Sequence, residues 1–78
     1  MDTNTAPHLP TDVGCRIKQA REIKGLTRLQ LAREVGVSEG AIRANEEGRA
    51  APSAETLVGL ARVLGTRTDY LLGLESGR

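Results

Sequence analysis

Apolar residues recur along this chain at helical spacing, and no segment shows sustained alternation. Val13, Ile17 and Ala20, with Ile23 as a further inward candidate, mark a first helix that runs to about Lys24. Thr11 or Asp12 is placed to cap its start and Gly25 to stop it. Leu31, Ala32 and Val35 form one apolar face of a second helix over about 28–35, with Thr27 as its N-cap. Gly36 follows, a residue free to take positive φ and close that helix. Val37 tucks in, and Ser38 caps a third helix over about 39–46. Ile42 is its one strong anchor, and Gly48 ends it. GRAAPS is a loop, because Pro52 disfavours helix at Ala51. Ser53 caps a fourth helix, with Glu55 in its first turn and Leu57, Leu60, Ala61 and Leu64 on its buried face. Gly65 ends it, Thr68 caps a short fifth helix, DYLL, and Gly73 ends that. The expectation is an all-α fold, a compact bundle of five short helices over residues 12–73. Residues 1–11, with Pro7 and Pro10 among small polar neighbours, read as a disordered arm, and 74–78 as a flexible tail.

Within this frame residues 27–46 stand apart. Two helices of eight residues meet at a glycine turn, and the second is largely polar with a single apolar anchor. That is the pattern of a helix-turn-helix, whose second helix is able to enter the DNA major groove.

Composition narrows the remaining choices. The chain has 78 residues, a 38% apolar share and one aromatic, Tyr70, so the core is small and aliphatic. A domain this small is marginally stable, and a dimer interface would help it. A single cysteine, Cys15, excludes an internal disulfide and any multi-cysteine zinc site, and fits a reducing cytosol. No apolar run approaches the ~20 residues that span a bilayer, and the N-terminus lacks signal-peptide order. No paired His/Cys or Ser/His arrangement, metal cluster or phosphate-cradling glycine loop points to an enzyme, and no cofactor is expected. Net charge is only +1, a weak footprint for a nucleic-acid binder. Its distribution says more: residues 14–49 hold eight basic and five acidic side chains, an excess of three on the helix-turn-helix half.

The order of motifs resembles the Cro/phage-repressor type of helix-turn-helix protein, the Xre family. Arg21, LT-x-x-x-LA at 26–32, GVS at 36–38, Ile42, Glu46, Gly48, Pro52, L-x-x-LA-x-x-LG at 57–65 and DYLLG at 69–73 carry the match. The resemblance implies a lambda-repressor-like domain that binds operator DNA as a two-fold homodimer. It places Ser38, Glu39, Gly40 and Ala44 at groove-facing positions of the recognition helix. It places Thr27 and Arg28 at the start of the second helix, near phosphate or a base edge, and Arg43 and Arg49 at backbone contacts. It matches Arg21 and Glu46 to a structural ion pair between the first and third helices. Four residues depart from the pattern. Glu39 puts a negative charge toward DNA, Gly40 has no side chain to read a base, and Asn45 and Thr66 occupy positions where an apolar residue is usual.

Each candidate has a plainer alternative. Glu39 and Arg43, at i and i+4, are either a groove-reading pair or a solvated surface ion pair. Arg28 opposes the helix dipole at its position, a local cost that a phosphate would offset, and is otherwise an ordinary exposed arginine. Cys15 beside Arg16 is either a redox-sensitive thiol or inert, and His8 has no neighbouring ligand. Leu71, Leu72 and Leu74 divide between the core and an exposed patch that suggests a dimer interface through the fifth helix. Two functions follow. The first is a cytoplasmic, bacterial or phage-encoded transcription regulator, a repressor acting on a palindromic operator and controlled through concentration, degradation or a protein partner such as an antirepressor. The second is a protein-binding module, antitoxin-like or a scaffold, that keeps the fold and reads DNA weakly or not at all.

Overall fold

The computed structural model describes residues 10–74, with side chains from Val13 onward. Apart from Pro10, Thr11 and Leu74, the predicted arm and tail, including His8, lie outside the described residues. The described elements are α1 (Pro10–Lys24), α2 (Arg28–Val35), α3 (Glu39–Glu46), α4 (Ala54–Leu64) and α5 (Thr68–Leu72), with no strand among the described residues.

Sequence signals set most of these boundaries. Thr27 Oγ1 accepts from the Gln30 amide at 3.0 Å, and Gln30 Oε1 accepts from the Thr27 amide at 2.8 Å, a reciprocal capping box at the start of α2. Ser38 and Ser53 cap α3 and α4 in the same manner, accepting from the amides of Ala41 and Thr56. Between α2 and α3, Gly36 takes φ +91, and the amides of Gly36 and Val37 both donate to the Ala32 carbonyl. A side chain at Gly36 would be strained in that left-handed conformation.

Two helix starts differ from expectation. The first helix opens at Pro10, so Thr11 and Asp12 lie inside it rather than capping it. Proline suits the first helical position, where its missing N–H serves no helix bond. Helix α5 begins at Thr68 itself. Arg67 holds the extended N-cap position, and no side chain caps that end.

Each helix contributes one large side chain with essentially no exposed surface: Ile17, Leu31, Ile42, Leu60 and Leu71. Burial of each such residue stabilises the fold by about 1.5–3 kcal/mol relative to exposure. Around them pack Ala20, Ala32, Leu57, Ala61 and Leu64, with Val13, Leu26, Val35, Val37, Val63 and Tyr70 partly buried against them. Leu71 therefore belongs to the core and is unavailable to an interface, whereas Leu72 and Leu74 are exposed. Ile23 also departs from its predicted inward position and is 87% exposed. Three residues past Ala20, it falls beyond the edge of the Val13–Ile17–Ala20 stripe.

The approach of α1 to α3 sets the aim of the helix-turn-helix. At Gly14 a Cβ would collide with the backbone carbonyl oxygens of Asn45 and Glu46, lying 2.5 Å from the latter. Glycine is thus required where α1 crosses the C-terminal end of α3. The two residues that depart from the apolar pattern are accommodated differently. Asn45 is buried and its Nδ2 donates to the Ala50 carbonyl at 3.0 Å, tying α3 to the loop that follows. The Thr66 hydroxyl is buried with no hydrogen-bond partner among the described residues.

Candidate nucleic-acid interface

Helix α3 is held from one face. Ile42, Asn45 and Glu46 face inward, while Glu39, Gly40 and Arg43 are exposed. Ala44 is half-buried, and its carbonyl accepts from the amides of Arg49 and Ala50. The exposed half of the helix is thus small apart from two opposite charges. Of the capping residues, Thr27 and Ser38 are exposed at the starts of α2 and α3, with each hydroxyl already accepting a backbone amide.

The predicted Arg21–Glu46 pair is present and is part of a larger cluster. Arg21 Nε donates to Glu46 Oε2 at 2.6 Å and Nη2 to Oε1 at 3.1 Å, a two-point fork between α1 and α3. Arg21 Nη1 also donates to the Leu26 carbonyl at 2.9 Å. The Glu46 side chain is 1% exposed and that of Arg21 11%. The hydrogen bond to Glu46 raises the Arg21 pKa above the usual arginine value, more than burial lowers it. The guanidinium therefore stays charged throughout the working pH range.

Sequence reasoning missed the third member. Arg28 Nε donates to Glu46 Oε1 at 3.0 Å, so one buried carboxylate joins α1, α2 and α3. The i, i+18 separation of these residues gave no local signal for this contact. The other two candidate arginines also have acidic neighbours. Arg43 lies 3.9 Å from Glu39, an exposed i, i+4 pair, and Arg49 Nε donates to Glu47 at 3.0 Å in the loop after α3. Such exposed pairs are worth about 0–1 kcal/mol and yield readily to a competing anion. Among the described residues, no cluster of three or more His, Cys, Asp or Glu could hold a metal ion, and no helix is long and apolar enough to cross a membrane. Cys15 is exposed.

The geometry has counterparts in known proteins. The helix-turn-helix family profile matches residues 17–71. The chain is 39% identical over 77 residues to an uncharacterized transcriptional regulator in the ATPase CF(0) region of Rhodospirillum rubrum, covering 97% of this chain and 71% of that one. It is 36% identical to the prophage-derived HTH-type transcriptional regulator YonR of Bacillus subtilis, covering 76% of this chain and 55% of the relative. The chain thus spans about half to seven-tenths of the length of these relatives. Among solved structures, the P22 c2 repressor in complex with a synthetic operator superposes with a TM-score of 0.77 at 33% identity, covering 81% of this chain and 96% of the repressor. The biofilm regulator SinR in complex with DNA superposes with a TM-score of 0.73 at 33% identity, covering 77% of this chain and 97% of SinR.

Proposed function

This chain belongs to the Xre-type helix-turn-helix family, and on that premise we propose that it is a sequence-specific DNA-binding transcriptional regulator. The observation that carries the reading is the burial of Ile42, Asn45 and Glu46 on one face of α3, which leaves Glu39, Gly40 and Arg43 exposed on the other. A slim, exposed helix face of this kind suits the major groove. In this reading Ser38, Glu39, Gly40 and Ala44 line the groove, and Thr27, Arg28, Arg43 and Arg49 meet the DNA backbone. The P22 repressor and SinR, both solved with DNA, support the assignment.

The finer reading is a cytoplasmic repressor that acts as a homodimer on a palindromic operator. Exposed Leu72 and Leu74, 40% and 67% accessible, motivate a contact around α5. Two recognition helices would then lie about 34 Å apart, one turn of duplex. Footprinting on the DNA that flanks its gene tests the proposal, and a protected palindrome is the expected result. Absence of binding even at low salt, where phosphate attraction is strongest, would favour the second reading of a protein-binding module. That alternative draws on the net charge of +1 and on Glu39 on the exposed face of α3.

A further inference from the structure

Arg28 stands where the dipole of α2 disfavours a cation, and the first turn of α2 holds no acid to offset it. Its neighbour across the fold accounts for it. The Nε edge of the guanidinium is taken by Glu46. No described group accepts from its two terminal nitrogens, and 26% of the side chain remains exposed. Glu46 already receives a two-point fork from Arg21, so the cluster holds two cations on one carboxylate. Of the two cations, Arg28 is the more exposed, and Glu22 adds a second negative charge near Arg21.

Resting on the DNA-binding reading above, we infer that Glu46 is a positioning residue for Arg28, and that Arg28 bridges the buried carboxylate and a DNA phosphate at the same time. The guanidinium is a planar fork with donors on two edges, so one edge stays on Glu46 while the other takes the phosphate. Because Glu46 is the last residue of α3, the backbone contact made at the start of α2 is tied directly to the base-reading helix. A phosphate bound by Arg28 therefore sets the depth and register of α3. A lysine does this poorly, because its ammonium is a compact point charge without the planar two-edge fork that holds two anions in fixed directions.

The test compares wild type, Arg28→Lys and Arg28→Ala on a fluorescein-labelled random-sequence duplex at low salt by anisotropy. Thermal melts establish that each variant is folded. A bridging arginine predicts that Arg28→Lys loses nearly as much affinity as Arg28→Ala, about tenfold, despite keeping its charge. Arg28→Lys binding as tightly as the wild type overturns the inference and leaves the DNA reading standing. Failure of the wild type to bind any duplex overturns both. A second measurement needs no variant: the Arg28 Nε–H resonance of the wild type, followed by ¹⁵N NMR. It is expected to be protected from exchange in the free protein and to stay protected at saturating DNA. Loss of that protection on binding would mean that Arg28 leaves Glu46 for the phosphate, and would refute bridging.

Discussion

Replacing Arg21 by alanine is the most informative single perturbation of this fold. The change removes three donors: Nε and Nη2 from Glu46 and Nη1 from the Leu26 carbonyl. What remains is a carboxylate with a 1% exposed side chain and a single cation, Arg28, at 3.0 Å on Oε1. Breaking a buried pair from one side costs about 3–5 kcal/mol, because the remaining charge has lost its water as well as its partner. Arg28 compensates part of that charge, which moves the expectation to the low end, about 3 kcal/mol. A domain with 65 described residues has a total stability of only about 3–10 kcal/mol. The loss should lower Tm by about 12 °C or more, and urea denaturation at low temperature would measure it directly. The control is Arg62→Ala on the exposed side of α4. A shift no larger than that control would refute the reasoning, since it would mean that the carboxylate is not stranded. The effect carries no neutral-pH dependence on the arginine side. The folded Arg21 pKa is raised, so its contribution is complete below the unfolded value and is lost only as pH rises through the higher folded one.

Three further predictions test other parts of the structure. Gly14→Ala should destabilise by about 1–3 kcal/mol through collision with the α3 carbonyls, whereas Gly40→Ala, with nothing nearer than Ser38 Oγ at 3.9 Å, should stabilise by about 0.5–1 kcal/mol; equal signs in parallel denaturation curves would contradict this account of α1–α3 packing. Glu39→Gln should weaken discrimination at one base pair per half-site by about 1–3 kcal/mol while leaving or raising affinity for random DNA. Competition binding with single-base-pair operator variants measures both effects, and a uniform response would make Glu39 a surface residue only. Leu72→Asp combined with Leu74→Asp should shift sedimentation toward monomer, since both side chains are exposed, and lower Tm only by what dimerisation contributes; a double variant that sediments as the wild type does would place any interface elsewhere.

Local chemistry made most of the fold legible. Three of the helix starts carry a Thr or Ser whose hydroxyl accepts an amide three residues on, and several ends carry a glycine at positive φ. Such signals are confined to four or five residues and survive any tertiary arrangement. The errors arose where local chemistry was silent or ambiguous. Thr68 resembles a cap by type, but the chain reaches extended geometry one residue earlier, at Arg67. Ile23 is apolar, yet its angular position places it outside the buried stripe. Leu71 and Leu72 are adjacent and chemically identical, and only the packing of α5 on α1 and α4 sends one inward and the other outward. At the candidate site, the Arg21–Glu46 pair was visible only through the family pattern. Arg28 and Glu46 are each legible as candidates, but nothing local in the sequence joins them across 18 residues. Gly14 likewise lies within a helix, where glycine ordinarily weakens structure, and its purpose emerges only from the carbonyls that pack against it.

These contacts divide the work of α3 between its two faces. On its inner face, Ile42 fills the core, Asn45 holds the following loop and Glu46 binds two other helices, while Gly14 of α1 lets the two backbones approach. On its outer face, Gly40 keeps the helix slender after the Ser38 cap, and Glu39 and Arg43 stand in solvent. An aliphatic core this small could not by itself fix the direction of an eight-residue helix, because apolar packing has little orientational preference. The directional constraints come from the polar groups, which hydrogen-bond at defined angles. Substitutions on the two faces of α3 should therefore separate: those at Asn45 act mainly on stability, and those at Glu39 or Arg43 act mainly on recognition. Arg28 joins the two classes, since its Nε belongs to the clamp while its side chain stays 26% exposed and no described group accepts from its terminal nitrogens. Loss of Arg28, or of the Glu46 that positions it, should lower stability and affinity together.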